Sequence, residues 1–319
     1  MSHAVDVLIP TYKPNRAHLT EALTSLLSQE FQDWRAFIHD DFSTESVARS
    51  IVEPFLNDPR ITFTTSKKRL GIGGNWNACI RQTSAPFIAF LFQDDIWTPE
   101  YLQHAIQILE QHPTVGFVSM EHAYRGEGAM TTLPLYEELS NFKQKNVPSG
   151  LHKGSEFLRF WIHHELHPNV IGEPSFVVLR RNAVNGAGSF LEDMPQFLDT
   201  EYWLRLLQVS DWYYLNDRSY GSFRVHPGGA SAVNQEVGTG LYDRLRCFEY
   251  LIERLNGDDR SAAIEARNRA IETMIGKFFR RIGSGKKASA KGSHALLWFC
   301  LRHPMLIGRS ILKQFFGRE

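Results

Sequence analysis

Short apolar runs alternate with amphipathic stretches from Val5 to about Met120, the pattern of successive βα units. Val5–Ile9 predicts a strand that stops at Pro10, after which Leu19, Ala22, Leu23, Leu26 and Leu27 recur at helical spacing. Arg35–His39 predicts the second strand, ending in the acidic turn Asp40-Asp41-Phe42-Ser43, and Val47, Ile51, Val52 and Phe55 mark the second helix. Ile61–Thr65 is a third strand. It leads into Leu70-Gly71-Ile72-Gly73-Gly74-Asn75 and a helix through Asn77 and Ile80. Phe87–Phe92 is an uninterrupted apolar run, as expected of a strand covered on both faces, and it stops at Gln93-Asp94-Asp95. Leu102, Ala105, Ile106 and Leu109 share a helical face, and Val115–Met120 closes the series.

Right-handed crossovers between such strands place their C-termini along one edge, where open α/β sheets bind ligands. Pro10, Asp41 and Asp95 all fall at these ends. Residues 121–169 are less regular. Beyond them Phe176–Leu179 and Trp212–Leu215 predict strands and Asp199 to Gln208 a short helix. From Leu241 the pattern is helical, through Leu245, Phe248, Ile252 and Leu255 and again through Ile271, Ile275, Phe278 and Ile282, until Gly283-Ser284-Gly285 interrupts it.

Composition narrows the function classes. The 35 basic residues balance the 35 acidic ones, which argues against a nucleic-acid binder. Cys79, Cys247 and Cys300 have no disulfide-scaffold or zinc spacing, so a reducing compartment is the simplest reading. No secretory leader is read at the N-terminus, and no apolar run approaches the roughly 20 residues of a membrane span. The expectation is a cytoplasmic protein.

Buried strands that end in paired carboxylates need a reason, because adjacent like charges repel. For Asp94-Asp95 a hard divalent cation would supply it, and such ions commonly bring phosphates. A solvated turn before Pro99 is the plainer alternative, and an Asx turn is the same for Asp40-Asp41. Asp199 opens a helix, where aspartate is a favoured capping residue.

The motifs taken together resemble family-2 glycosyltransferases of the GT-A fold. Val7-Leu8-Ile9-Pro10-Thr11-Tyr12, Ser25 to Gln29, and His39-Asp40-Asp41-Phe42-Ser43-Thr44 are similar to that family's opening. Gly71 with Asn75 and Asn77, Phe90 to Asp95, Asn169 to Ser175, Asp199 to Leu206, and Arg224-Val225-His226 followed by Ser231 continue the likeness to about Ser231. The resemblance implies a Rossmann-like mixed sheet flanked by helices. It also implies a catalytic domain over residues 1–235 (a nucleotide-sugar half to about 120, then an acceptor half), and the helical pattern beyond it marks a C-terminal region over 236–319 with a basic amphipathic tail.

By the same resemblance, Pro10 and Tyr12 line a base pocket, Asp41 accepts a hydrogen bond from the base, and Gly71 and Asn75 belong to the nucleotide-sugar site. Asp94 holds the ribose, Asp95 ligates Mg2+ or Mn2+ on the diphosphate with His226 as a further contact, and Asp199 is the base. The sequence departs from the pattern at Lys13, where Asn is usual, at Phe92, where the first Asp of D-x-D often stands, and at Leu198, where an acid often precedes the base.

The implied reaction is inverting transfer from a nucleotide-diphosphate sugar to a saccharide or lipid-linked acceptor hydroxyl, in cell-surface polysaccharide or glycolipid synthesis. A sugar nucleotidyltransferase and a catalytically silent nucleotide-sugar binder are the rivals. His226 also reads as an ordinary loop residue, Arg224 as a phosphate contact or an ion-pair partner, and Gly71-Ile72-Gly73-Gly74 as a diphosphate loop or a plain turn. Glu201 is a reserve base, expected to face solvent or serve structure. Between Lys277 and Glu319 ten basic residues face one acid, interleaved with Leu, Ile, Trp and Phe. Such a tail suits peripheral contact with the cytoplasmic face of a membrane, or helices packed on the catalytic domain or on a second copy in a homo-oligomer.

Overall fold

The computed structural model describes residues 3–43, 47–126, 133–194, 196–226, 229, 240–283, 297 and 300–316. Lys286, Lys287, Lys291, Leu296, Trp298 and Phe299 of the tail, and Ser231, lie outside the described residues. By internal contacts the chain divides into two units. The first holds Met1–Phe157, Asn169–Asp193 and Leu198–His226; the second holds Leu158–Pro168, Met194–Phe197 and Pro227–Glu319.

The first unit is built on a mixed sheet of β1 (Val5–Thr11), β2 (Trp34–Asp40), β3 (Ile61–Thr65), β4 (Phe87–Phe90), β6 (Val115–Met120), β8 (Gly150–His152), β9 (Val177–Arg180) and β10 (Asp211–Leu215). Their order is β3-β2-β1-β4-β9-β6-β10-β8. The chain steps from β1 outward to β2 and β3, then returns to place β4 on the other side of β1, with all four strands parallel. This reversal of strand order opens a crevice beyond the C-termini of β1 and β4. Strand β9 runs antiparallel between β4 and β6. A second sheet joins β5 (Ile96–Trp97), β7 (Ala123–Gly126) and β11 (Gly221–Val225) in the order β5-β11-β7.

Every residue of β1, β4 and β6 is buried, which is why these runs lack polar alternation. Helix α1 (Arg16–Leu27) buries Leu19, Ala22, Leu23 and Leu26. Leu27, grouped with them by spacing, lies at the helix end and is exposed. Asn15 caps this helix, its Oδ1 accepting the Ala17 amide at 2.9 Å and the His18 amide at 3.3 Å, a contribution of about 1 kcal/mol. Helix α4 (Tyr101–Gln111) buries Leu102, Ala105, Ile106 and Leu109 as its pattern predicts.

Residues 121–169, irregular in sequence, contain β7, α5 (Leu133–Asn146), β8 and α6 (Gly154–His163). The strands are too short to show alternation. In the second unit, Gly240–Arg254, Gly257–Gly283 and Pro304–Phe316 are helical. Among the described residues no helix is long and apolar enough to cross a membrane.

Candidate active site

Register brings the strand ends together. Thr11 pairs with Asp40 and Asp40 with Thr65, so the segments that follow open side by side at one edge. Pro10 is buried within β1, opposite His39. Asp40 closes its own turn: Oδ1 accepts the Thr11 and Ser43 hydroxyls at 3.0 and 2.7 Å, and Oδ2 the Ser43 amide at 2.7 Å.

Asp41 does something the local sequence does not reveal. Its Oδ1 accepts the Leu70 amide at 2.6 Å, and its Oδ2 accepts the Gly71 amide at 2.9 Å and Arg69 Nε at 3.1 Å. It therefore caps α3 (Gly71–Ile80), so the glycine-rich segment is the first turn of a helix and not a loop. Gly73 lies where a Cβ would stand 3.0 Å from Glu192 Cα and 3.2 Å from Leu191 O, so this glycine permits close backbone packing. Asn77 clamps Phe190 through both amide atoms, donating to its carbonyl at 3.0 Å and accepting its N–H at 2.9 Å. Asn75 Nδ2 donates to Thr11 O at 3.3 Å, while its buried Oδ1 has no hydrogen-bond partner. The Tyr12 ring lies under the Arg69 guanidinium, 3.3 Å from the ring centre.

Beyond β4, Gln93 pins the two crevice walls together. Its Oε1 accepts the Tyr12 amide at 2.9 Å and its Nε2 donates to Tyr12 O at 3.3 Å. Phe92, at the position of a customary acid, stacks on Trp76 with ring centres 5.0 Å apart. Asp94 Oδ2 lies 2.9 Å from His226 Nε2, each side chain about a fifth exposed. Asp95 turns inward and is fully buried, with Oδ1 accepting the Arg224 amide at 3.1 Å. Burial, then the charge of Asp94, pushes the Asp95 carboxyl well above the ordinary range; the Arg224 amide and Ser175 hydroxyl only partly oppose this. Its Oδ2 makes no hydrogen bond. The Arg224 side chain donates to Asp94 O at 3.0 Å and pairs with Glu21 at 2.5 Å, so of its two readings the structure shows the ion pair.

These groups bear on a divalent cation. A carboxylate beside an imidazole is a competent partial donor set for Mn2+ or Mg2+, and the adjacent Asp95 Oδ2 is a buried oxygen left without a hydrogen-bond partner. Among the described residues no group of three or more His, Cys, Asp or Glu side chains is gathered. The chain thus fits such an ion as a partial shell, to be completed by oxygens of a ligand.

On the other side of the site, α8 (Leu198–Val209) presents Asp199 at its start. Oδ2 accepts Asn169 Nδ2 at 2.8 Å and Oδ1 accepts the Thr200 amide at 2.7 Å. Burial raises this carboxyl to about 7, against the lowering effect of the Thr200 amide and with a further push from the charge of Glu173. Trp203 is fully buried, and its Nε1 donates to Gly172 O at 3.0 Å, fixing the loop that carries Asn169. Glu201 forms a two-point ion pair with Arg205 at 2.8 and 2.7 Å and is buried, a structural place.

His122 and Tyr124 belong to no sequence motif, and Glu173 enters only as part of the Asn169–Ser175 segment likened to the family's acceptor side. His122 Nε2 lies 2.9 Å from Glu173 Oε2, and the Tyr124 hydroxyl donates to the same oxygen at 3.5 Å.

The profile of the family described as Glycosyl transferase family 2 matches residues 6–165, half of the chain's 319 residues. The chain belongs to glycosyl transferase family 2. An uncharacterized protein of Mycobacterium tuberculosis is 28% identical over 260 residues, 78% of this chain and 75% of that protein. The UDP-Glc:alpha-D-GlcNAc-diphosphoundecaprenol beta-1,3-glucosyltransferase WfgD of Escherichia coli is 28% identical over 107 residues, 34% of this chain. That match spans 41% of WfgD, less than half its length. Among solved structures, the mannosyltransferase PcManGT of Pyrobaculum calidifontis, in complex with GDP-Man and Mn2+, superposes with a TM-score of 0.60 at 14% identity, over 100% of this chain and 89% of that one. This family-2 transferase accordingly has the expected GT-A fold, a mixed α/β sheet flanked by helices.

Proposed function

We propose that this family-2 glycosyltransferase moves a sugar from a nucleotide-diphosphate sugar to a hydroxyl of a saccharide or lipid-linked acceptor, with inversion at the transferred carbon. The observation that carries the reading is Asp199, a half-buried carboxyl raised to about 7 and held by Asn169 at 2.8 Å. A base tuned near neutrality accepts a hydroxyl proton far more readily than an ordinary aspartate does. Asn169 orients the carboxylate, and the Thr200 amide holds its second oxygen.

Asp94 and His226 would hold the divalent cation, Mn2+ or Mg2+, whose chemistry is to stabilise the charge of a departing diphosphate. Asp95 serves this pair from behind, anchoring the Arg224 amide so that the end of β11 stays beside the loop after β4. Tyr12 with Arg69 offers a flat cationic stack for a nucleobase, next to Pro10 and Asn75. Asp41 keeps one carboxylate lone-pair position beyond its three donors, and through Gly71 it aims the start of α3 at the same crevice. WfgD is named for a diphosphoundecaprenol-linked acceptor. A lipid-linked acceptor for this chain agrees with the exposed Met305, Arg309 and Leu312 of the helix Pro304–Phe316, which would rest on an anionic cytoplasmic membrane face.

Thermal-shift measurements with UDP- and GDP-sugars, each with Mn2+ or Mg2+, test the reading, because a ligand of the native state raises its apparent stability. One donor class should stabilise the protein only with the cation present. Asp199→Asn should keep that stabilisation and lose transfer. Transfer at the wild-type rate in that variant rules out the assigned base.

A further inference from the structure

Glu173 stands in the middle of a strap fixed at both ends to the two chemical poles of the site. At one end Asn169 Nδ2 donates to Asp199 Oδ2 at 2.8 Å. At the other, Ser175 Oγ accepts the Phe92 amide at 3.0 Å, two residues before Asp94. Between them Gly172 takes a φ of +101°, a conformation suited to glycine, and Pro174 fixes the next residue. The Glu173 side chain therefore leaves a backbone with little freedom.

A third carboxylate at this place is unfavourable, and its charge is felt at both Asp95 and Asp199. The fold offsets that cost from behind. Burial alone would raise the Glu173 carboxyl, but the hydrogen bond and charge of His122, with the charge of Lys143, hold it below the ordinary range. His122 is itself fixed. Its Nδ1 lies 3.2 Å from Met120 O and so carries a proton, and its ring stacks on Phe176 with centres 3.9 Å apart. The His122 side chain is fully buried whereas Glu173 keeps 16% of its side chain exposed, so of the pair only the glutamate can be reached.

His122 and Tyr124 both meet Oε2, so the structural tie of this carboxylate runs through one of its two oxygens. An ionised carboxylate only accepts hydrogen bonds, so its partner must donate one, and a diphosphate donates none. In transfer with inversion the moving ring lies between the departing diphosphate and the attacking hydroxyl, alongside a strap that joins those two poles.

We infer that Glu173 determines sugar specificity by accepting a hydrogen bond from a hydroxyl of the transferred ring, with His122 as its positioning residue. The inference rests on the nucleotide-sugar reading given above.

Calorimetric titration with Mn2+ present, using UDP, GDP, UDP-glucose, UDP-N-acetylglucosamine and GDP-mannose as probes, separates nucleotide from sugar recognition. In the wild-type protein one nucleotide sugar should bind more tightly than its free nucleotide. Glu173→Gln should leave the nucleotide affinity within about twofold and weaken the nucleotide sugar by about tenfold, erasing most of the sugar increment. His122→Ala should do the same more weakly, and His122→Gln, which keeps a donor, should recover part of the loss. Equal losses for nucleotide and nucleotide sugar, or no loss in Glu173→Gln, overturn the inference while leaving the transferase reading intact. A wild-type protein that binds none of the five probes overturns both.

Discussion

His226 Nε2 and Asp94 Oδ2 lie 2.9 Å apart, joining the residue after β11 to the loop after β4 across 132 positions of sequence. The contact depends on Arg224, whose amide is held by Asp95 and whose guanidinium pairs with Glu21 of α1. The His226 ring also meets His18 of α1 edge-on, with centres 5.6 Å apart. Contacts with Asp95 and with α1 thus hold the His226 imidazole against the Asp94 carboxylate. If that pair grips the cation, Asp94→Asn and His226→Ala should each weaken Mn2+ binding in the presence of UDP by on the order of tenfold or more. Manganese spin-resonance titration reads this directly, and unchanged affinity in both variants removes the pair from the cation site.

Asp199 should set the pH dependence. Because a base must be ionised to act, kcat should rise about tenfold per pH unit below about 7 and level off above it. Stability should move the other way. The folded chain keeps this proton up to about 7, whereas an unfolded aspartate loses it near 3.8. Between those values the native state binds more protons, so stability falls as pH rises, by at most about 4 kcal/mol across the window. Urea unfolding of wild type and Asp199→Asn at pH 5 and pH 8 checks this: the difference between the two proteins should change with pH, and parallel behaviour contradicts it.

Ile61–Thr65 and Val115–Met120 form strands with the bounds that their apolar patterns predict, because both are short β-rich runs flanked by polar residues. The glycine-rich segment was harder to read. Gly71 begins a helix because Asp41, 30 positions earlier, takes its amide, and a cap supplied by another strand leaves no local trace. The same holds in the site. Asp94, Asp95 and Asp199 are legible as acids at strand and helix ends, but the inward turn of Asp95 follows from the Arg224 amide on a different sheet. The His122–Glu173 pair spans 51 positions and belongs to no local pattern. It becomes visible only when β6 and the 169–176 segment are seen side by side.

Phe92 occupies an acid's customary place by serving the core. Its ring stacks on Trp76, which also meets Phe90 at 5.8 Å and Phe190 at 5.1 Å between ring centres. Restoring the acid with Phe92→Asp should therefore destabilise the fold by on the order of 2 kcal/mol, through lost aromatic packing and a carboxylate pressed against an indole. Phe92→Tyr, which preserves the stack, should stay within about 1 kcal/mol. Denaturant midpoints for the two variants decide the matter, and a Phe92→Asp protein as stable as wild type shows that the stack contributes little.

The helix Pro304–Phe316 offers the last test. Met305 and Leu312, seven positions apart and hence on one face, are 80% and 57% exposed, and Leu301 just before the helix is 64% exposed. Arg302 and Arg309 are exposed as well, and from 300 to 316 the sequence has no acidic residue. Leucine and methionine left in water beside arginines have the character of an interfacial helix, in which apolar side chains enter the acyl boundary and cations meet lipid phosphates. The full-length protein should float with vesicles rich in phosphatidylglycerol, and less so as salt is raised. Met305→Glu combined with Leu312→Glu should abolish flotation, while donor binding measured in parallel should stay unchanged. Equal flotation of the variant and the wild type, or flotation with neutral vesicles alone, excludes this helix as the membrane contact.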